Sequence, residues 1–249
     1  MIRIFPVKGL PKIQEGDNIA RLIVDNIKLE NGDIIAICST IVSKSEGRMV
    51  SLGSYTPTEY SIKLAEKIGK DPRFVQAVLE ETDEILLEEP FLLVRSKFGN
   101  ICVNAGIDTS NVEEGFILLP PKDPDKSAKK IRGEIYRLTG RDVGIIITDT
   151  NGRCFRRGVV GFAIGVSGVQ TMRNWIGKED LYGKKLESTI ECVVDEIAAF
   201  ANLVMGEGSD GIPVVVIRGL NLAGTGSMGD VYREYGEDVI WKCLKKSSL

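Results

Sequence analysis

The chain has 249 residues, of which 27% are charged, and its formal net charge is −3. This length can bury a full core, as one large domain or as two closely packed lobes. The balanced charge argues against a nucleic-acid surface, and no stretch approaches the roughly 20 apolar residues that span a membrane. Five cysteines without a CxxC spacing indicate reduced thiols, and the N-terminus resembles no secretion signal, so we expect a cytoplasmic protein.

Histidine is absent from the sequence. This absence excludes a Ser-His-Asp triad, a His-ligated zinc site and an imidazole general base. Chemistry near neutral pH must therefore come from carboxylates, lysines, arginines, hydroxyls or a bound metal.

Eight apolar runs, each bounded by turn-forming residues, predict strands. In chain order they cover residues 2–7, 33–38, 91–94, 101–103, 116–119, 143–147, 159–166 and 213–217.

Helical patterns separate these runs. Asp71 and Pro72 have the form of an N-cap and a first turn, and Gly140 has the form of a helix stop. Together with apolar residues that recur every three to four positions, they predict helices over 71–81, 128–140, 190–204 and 231–244. We therefore expect an α/β (mixed α+β) fold of two closely packed lobes, with mixed sheets and neither a Rossmann nor a P-loop architecture. No linker marks a boundary between the lobes.

The segment that follows the strand predicted at 143–147 carries the most distinctive side chains of the chain. Asp149 lies between two threonines, and a carboxylate with hydroxyls suits a hard cation such as magnesium or manganese. Guanidinium groups suit phosphates and carboxylates, and three of them come next, on Arg153, Arg156 and Arg157. This combination suggests phosphoryl chemistry, whereas a polar turn with solvated arginines is the alternative.

Two glycine strings match the pattern G-x-G-x-x-G, which alone is a weak signal. The string from Gly224 to Gly229 follows a strand and opens a helix, but too few residues come after it to complete a dinucleotide-binding unit. The string from Gly206 to Gly211 follows a helix and precedes a strand, so its N–H groups could form a nest for an anion. Glu207 and Asp210 add carboxylates there, and a glycine-rich helix stop is the alternative.

A third segment, from Val103 to Gly115, again ends a strand with small polar residues, among them Asp108 and Asn111. Asp108, Asp149 and Glu207 flank separate strands, and such side chains converge when their strands are neighbours in one sheet. Three converging carboxylates would repel one another unless cations lay between them, and two divalent ions could clamp a triphosphate. The sequence thus predicts a site for metal and phosphate.

Lys44 follows the strand that ends at Cys38 and is a candidate contact for phosphates, with the hydroxyls of Ser39 and Thr40 nearby. A solvated loop lysine is the alternative. The sequence contains no Walker-A string, so a nucleotide would need a different scaffold.

Together these segments resemble the coenzyme F-420:L-glutamate ligases, the γ-glutamyl ligases of archaea and actinobacteria. The resemblance covers essentially the whole chain and is carried by FPVKGLPKI, CSTIVSKSEGR, KFGNICVNAGIDTSNVEEG, ITDTNGRCFRRGVVGFAIG and DEIAAFANLVMGEGSDGIP. Actinobacterial relatives often carry a C-terminal flavin-binding extension. Residues 1–249 are similar to the stand-alone form, a single ligase unit without that extension.

The resemblance implies GTP-dependent amide formation. GTP would phosphorylate the carboxylate of the deazaflavin's phospholactyl tail, and the amine of L-glutamate would then displace phosphate. A second γ-linked glutamate could follow. A metal-dependent nucleotide phosphohydrolase that uses the same acidic residues on water is the alternative enzyme, and a non-catalytic nucleotide-binding regulator is a third hypothesis.

The resemblance also implies two divalent cations, magnesium or manganese, and a monovalent cation such as potassium. It assigns the first divalent ion to Asp108 and Asp149, and the second to Thr150 and Glu207. It assigns GTP contacts to Leu10, Pro11, Lys12, Ile13, Ser39, Thr40, Lys44, Asn111, Met205, Gly206, Glu207, Gly208, Ser209, Asp210, Gly211 and Ile212.

The expected partners are small molecules, namely GTP, L-glutamate and the deazaflavin precursor, with neither nucleic acid nor membrane. The resemblance adds an intertwined homodimer. Beyond the resemblance, we hypothesise that one of the arginines near Asp149 holds the phosphodiester or a carboxylate of the substrate; the candidates are Arg153, Arg156 and Arg157.

Overall fold

A computed structural model describes residues 1–247 of the chain. These residues form two compact units. The first unit comprises Met1–Lys12, Asn18–Ser39 and Asp123–Val231. The second comprises Ile13–Asp17, Thr40–Lys122 and the chain from Tyr232 onward.

The described residues contain both helices and strands in mixed order, which confirms the mixed α+β class. The strands are β1 (Arg3–Pro6), β2 (Ile34–Cys38), β3 (Met49–Ser51), β4 (Thr82–Leu87), β5 (Leu93–Ser96), β6 (Ile101–Val103), β7 (Phe116–Leu118), β8 (Gly144–Arg153), β9 (Arg156–Ser167), β10 (Met172–Asn174), β11 (Ile190–Cys192) and β12 (Val214–Arg218). The helices are α1 (Ile19–Asn26), α2 (Ser39–Ser45), α3 (Glu59–Ile68), α4 (Pro72–Glu80), α5 (Pro124–Thr139), α6 (Val193–Met205) and α7 (Val239–Ser247). No helix in this part of the chain is long and apolar enough to cross a bilayer.

The first unit is built on a five-stranded mixed sheet with the order β1-β12-β2-β8-β9. Strands β2 and β8 are parallel, and the other neighbouring pairs are antiparallel. The central strands are rich in isoleucine and valine because they are buried along most of their length. Helix α5 packs against β8 and β9, and α6 packs against β9, β8, β12 and β2. Strands β10 and β11 form a separate two-stranded sheet in the same unit.

The second unit contains a three-stranded sheet, β4-β5-β6, and a two-stranded sheet of β3 and β7. Its core includes Leu64 of α3, Val75 of α4 and Val94 of β5, all almost fully buried. Helix α7 packs on β4 and is anchored by Trp241, which is 3% exposed. The guanidinium carbon of Arg95 lies 5.4 Å from the centroid of the Trp241 ring, a cation–π contact that helps hold the helix in place.

All eight apolar runs overlap strands, although the run at 91–94 begins two residues before β5, and the runs at 143–147 and 159–166 are shorter than β8 and β9. The helix at 71–81 is confirmed, with the side chain of Asp71 as N-cap. The helix at 128–140 begins earlier, at Pro124, and ends at Gly140 as predicted. Two further helix starts are wrong, because residues 190–192 form β11 and α7 begins only at Val239.

The glycine string from Gly224 to Gly229 leads into a short 3-10 helix, Met228–Asp230. Its glycines serve close packing: a Cβ at Gly224 would lie 2.8 Å from the backbone nitrogen of Gln170. The carboxylate of Asp125 accepts the Met228 N–H at 3.0 Å and the Val166 N–H at 2.7 Å, which fixes the string to the sheet. Burial raises the pKa of Asp125 from its ordinary value.

Candidate functional site

Several candidate residues lie at one edge of the five-stranded sheet. Strands β1, β2 and β8 run in the same direction, and β12 runs against them. Residues 10–12 follow β1, Ser39 follows β2, and residues 205–212 lie just before β12. The ends of β1 and β2 and the start of β12 therefore lie at the same edge of the sheet, which we call the carboxyl edge, and these segments flank the strands there.

Strand β8 extends beyond the carboxyl edge. The last residue of β2, Cys38, pairs with Thr148, so among the described strands Asp149 and Thr150 pair with β9 alone. The prediction that the strand ends at Ile147 is wrong, because β9 supplies backbone partners as far as Arg153. Asp149 is half-buried, and its Oδ1 accepts the Thr150 N–H at 2.8 Å. Both predicted ligands thus stand on a rigid hairpin instead of a turn.

The three arginines lie at the tip of the β8–β9 hairpin. Arg153 and Arg156 face each other across a two-residue turn, and they are exposed, as is Arg157. Four residues of extended strand place Arg153 about 13 Å along β8 from Asp149. Proximity in sequence therefore does not bring these guanidinium groups against Asp149. Their role in holding substrate stays a prediction.

The loop from Met205 to Ile212 begins beside β8. The Thr148 hydroxyl lies 3.9 Å from the Met205 sulfur, in hydrogen-bonding contact. At Gly206 the φ angle is +72°, and a Cβ there would lie 2.5 Å from Oδ2 of Asp210, so only glycine is accommodated. The next residue, Glu207, is exposed, and its Oε1 accepts the side-chain amide of Asn202 at 2.9 Å. The predicted order of helix, glycine string and strand is confirmed by α6 and β12.

Asp108 belongs to the second unit, where its backbone pairs with that of Leu118. The Ser110 hydroxyl lies 2.7 Å from Oδ1 and 2.9 Å from Oδ2 of Asp108, and the Ser110 N–H donates to Oδ1 at 2.7 Å. Nearby, Asn104 and Ala105 have φ angles of +52° and +55°, a left-handed conformation that is strained for residues with a side chain. The contacts with Ser110, in the turn that follows this segment, therefore hold the Asp108 carboxylate in a defined orientation.

Lys44 lies in the last turn of α2, so its placement in a loop was wrong. This helix was not predicted from the sequence because most of its residues are polar, although it follows β2 directly. The Lys44 ammonium donates to the backbone carbonyl of Asn111 at 2.6 Å. This bond connects two of the predicted nucleotide contacts within the second unit. Thr40 lies in the first turn of the same helix, and Ile13 is buried.

The predicted metal ligands are all oxygen donors, as magnesium and manganese prefer. Residues 1–247 contain no group of three or more His, Cys, Asp or Glu that could hold a metal ion. Magnesium commonly uses one or two protein carboxylates together with phosphates and water, so the donor set fits without a third carboxylate. Asp149, Thr150 and Glu207 belong to the first unit and Asp108 to the second. The assignment of these residues to ions stays a prediction.

Two residues at the site were missed from the sequence. Ser110 orients Asp108, and the signal was the spacing Asp-x-Ser, which is typical of a turn closed by an aspartate side chain. Asn202, in the last turn of α6, donates a hydrogen bond to Glu207. No pattern in the sequence distinguishes this asparagine from one on a solvated helix face.

The structure defines a mixed α+β protein whose first unit is built on a five-stranded mixed sheet, with residues 10–12, Ser39 and residues 205–212 flanking the strands at its carboxyl edge. Residues 9–219 match the family model described as F420-0:gamma-glutamyl ligase. The chain is 63% identical to the coenzyme F420:L-glutamate ligase of Archaeoglobus fulgidus, over 98% of each chain. It is 49% identical to the enzyme of the same name from Methanosarcina mazei, over 96% of this chain and 95% of that one. The chain therefore belongs to the F420-0:gamma-glutamyl ligase family and is a ligase that forms an amide bond.

Proposed function

We propose that this ligase joins L-glutamate to the deazaflavin precursor of coenzyme F420, with GTP as the phosphoryl donor. The observation that carries the proposal is the family match at 9–219, since this range contains every predicted site residue from Leu10 to Ile212. Relatives named coenzyme F420:L-glutamate ligase match nearly the full length of the chain. The absence of histidine is consistent with a reaction that rests on phosphoryl transfer and bound metal.

The reaction has two steps. A carboxylate oxygen of the phospholactyl tail attacks the γ-phosphorus of GTP, the bond to the bridging oxygen breaks, and GDP leaves. The glutamate amine then attacks the acyl carbon of the acyl phosphate, the carbon–oxygen bond breaks, phosphate leaves, and the amine loses a proton. A second, γ-linked glutamate could follow by the same two steps.

Phosphoryl transfer between two anions requires that the negative charge of both be neutralised. Asp108 and Asp149 would hold one divalent ion, and Thr150 and Glu207 a second; when bound, these ions supply positive charge to the triphosphate. Lys44 adds a further positive charge. A monovalent cation such as potassium completes the proposed set.

The remaining polar groups bind and orient the substrates. The segments at 10–13 and 205–212, with Ser39, Thr40 and Asn111, would contact the nucleotide. The hairpin arginines would hold the phosphodiester or carboxylate of the deazaflavin. Their exposed positions at the hairpin tip leave them accessible to an anionic substrate.

The test is mass spectrometry of the unglutamylated deazaflavin after incubation with the protein, GTP, L-glutamate and manganese. A mass gain of one or more glutamyl units is expected. Glu207→Gln should reduce the gain strongly, whereas Glu66→Gln, a matched change at an exposed position of α3, should not. Phosphate release that does not depend on glutamate would instead indicate a nucleotide phosphohydrolase. Absence of turnover would indicate a regulator.

We also propose that the protein is a homodimer. In the first unit, large apolar side chains are almost fully exposed: Phe155 at the hairpin tip, Leu181, Tyr182, and Leu203 of α6. Large apolar side chains at this exposure are available to the surface of a partner subunit. Sedimentation equilibrium should give twice the mass of the chain, and Leu203→Glu should shift the equilibrium towards the monomer. A monomeric wild-type protein would contradict the proposal.

A further inference from the structure

We infer that Asn202 is a positioning residue for Glu207, an inference that rests on the proposed function. Asn202 is half-buried in the last turn of α6, and its side-chain amide donates to Oε1 of Glu207 at 2.9 Å. No described residue donates to Oε2 of Glu207 in the hydrogen bonds of the structure. The bond therefore engages one oxygen of the carboxylate and leaves the other available to an ion.

The position of Asn202 is itself fixed from two sides. Its backbone carbonyl accepts the Gly206 N–H at 2.9 Å, which closes the end of α6. Its Cβ lies 2.7 Å from the point where a side chain at Gly161 would begin, so the helix sits directly on the bare backbone of β9. Glycine at this position is what permits the close approach.

This packing relates Glu207 to the other predicted ligand of the second ion. Gly161 is the register partner of Thr150, and directly paired residues of antiparallel strands face the same side of the sheet. Asn202 thus lies on the face of the hairpin that carries Thr150. It connects this face to Glu207 through a single hydrogen bond.

Residues that hydrogen-bond a metal-binding carboxylate without touching the metal control its orientation, and their loss commonly weakens metal binding by about 10- to 100-fold. The amide of Asn202 has this geometry. A purely structural role is disfavoured because the backbone carbonyl, not the side chain, closes the helix, and because alanine has a higher helix propensity than asparagine.

The experiment measures Mn²⁺ binding in the presence of GDP, through the electron paramagnetic resonance signal of free Mn²⁺. Asn202→Ala is expected to weaken one of two Mn²⁺ sites by about tenfold. Asn26→Ala is the matched control, because the Asn26 amide donates to the Leu22 carbonyl of α1 and not to a carboxylate. Melting temperatures of the metal-free variants separate a loss of binding from a loss of folding.

The decisive measurement is a double-mutant cycle with Glu207→Gln. If Asn202 acts through Glu207, adding Asn202→Ala to Glu207→Gln causes no further loss of Mn²⁺ affinity. Additive losses, or an Asn202→Ala affinity equal to that of the wild type, overturn the inference. If Asn202→Ala does not fold, Asn202→Asp keeps the shape over Gly161, and its effect on Mn²⁺ affinity should be seen only while Glu207 is present.

Ligation by the wild-type protein is assayed in parallel. Wild type that adds glutamate while Asn202→Ala binds Mn²⁺ normally removes the inference and leaves the proposed function standing. Wild type that neither binds Mn²⁺ with GDP nor adds glutamate removes both. Wild type that adds glutamate but binds no Mn²⁺ removes the inference alone.

Discussion

Replacing Arg218 by methionine should be among the most destabilising changes in the first unit that leave the carboxyl edge untouched. Arg218 ends β12, and its Nε and Nη2 donate to the two carboxylate oxygens of Asp33, each at 2.7 Å. Asp33 is fully buried just before β2, at the opposite end of the sheet from the carboxyl edge, and its Oδ2 also accepts the Glu30 N–H. Removal of the cation would leave a buried carboxylate with no counter-charge. Breaking a buried pair in this way costs about 3–5 kcal/mol, a large share of a typical total of about 5–15 kcal/mol.

The assay is urea unfolding of Arg218→Met at neutral pH. The control is Arg21→Met, whose exposed pair with Asp25 is 4.0 Å long and should contribute about 0–1 kcal/mol. The double variant Arg218→Met with Asp33→Leu should recover much of the lost stability, because it removes the uncompensated charge. A loss below about 1 kcal/mol for Arg218→Met would show that this pair behaves like a surface pair, and the reasoning would be refuted.

Three further predictions concern other single side chains. Ser110→Ala removes the hydroxyl that contacts both oxygens of Asp108, and it should raise the Mn²⁺ concentration that gives half-maximal ligation about tenfold. An unchanged Mn²⁺ concentration would count against a metal role for Asp108. The Arg137 guanidinium lowers the pKa of Glu134 to about 2 from 4.5, so this carboxylate stabilises the fold above pH 4.5 and the contribution is lost as the pH falls through about 2. In urea unfolding, Glu134→Gln should therefore be less stable than wild type at pH 6 and equal to it near pH 2, whereas a constant difference would contradict the assignment. Burial raises the pKa of Cys192 to about 12, so peptide mapping after iodoacetamide at pH 8 should find Cys154, which is exposed, labelled well before Cys192; equal labelling would contradict this.

The central strands were predictable because they are buried along most of their length. Strands β2, β8 and β12 contain continuous runs of isoleucine and valine, and such runs are typical of strands that are covered on both faces. Helices α4 and α5 were predictable from their ends, because Asp71 is the N-cap of α4 and Gly140 the C-cap of α5, and both residue types are typical of these positions.

The short or polar elements were not predictable from their own residues. Helix α2 has the sequence STIVSKS, which is typical of a loop, yet its apolar residues Ile41 and Val42 are buried. Residues 190–192 continue the apolar pattern of α6, but pairing with β10 makes them a strand. In both places tertiary contacts override the local preference.

The candidate site was predictable as a set of residue types but not as an arrangement. Acidic and hydroxyl residues after apolar runs indicated metal and phosphate, and the resemblance to a family assigned them. Cys38 and Thr148 are far apart in the sequence, and no local pattern predicts that they pair. The contact between Asn202 and Gly161 was not predictable either, because a glycine in a sequence does not indicate which residue packs against it.

The carboxyl edge owes its geometry to a difference in strand length. Strand β2 stops at Cys38, whereas β8 continues with β9 as its partner. Asp149 and Thr150 therefore lie beyond the end of β2 but remain hydrogen-bonded to β9. Helix α6 packs closely on the hairpin at Gly161 and ends at Met205, where the Gly206 N–H donates to the Asn202 carbonyl, and the glycine string then leads the chain back into β12. A carboxylate two residues beyond that helix is therefore placed by rigid elements on both sides. Such rigidity is what a site needs if it is to hold charged groups at fixed distances during phosphoryl transfer.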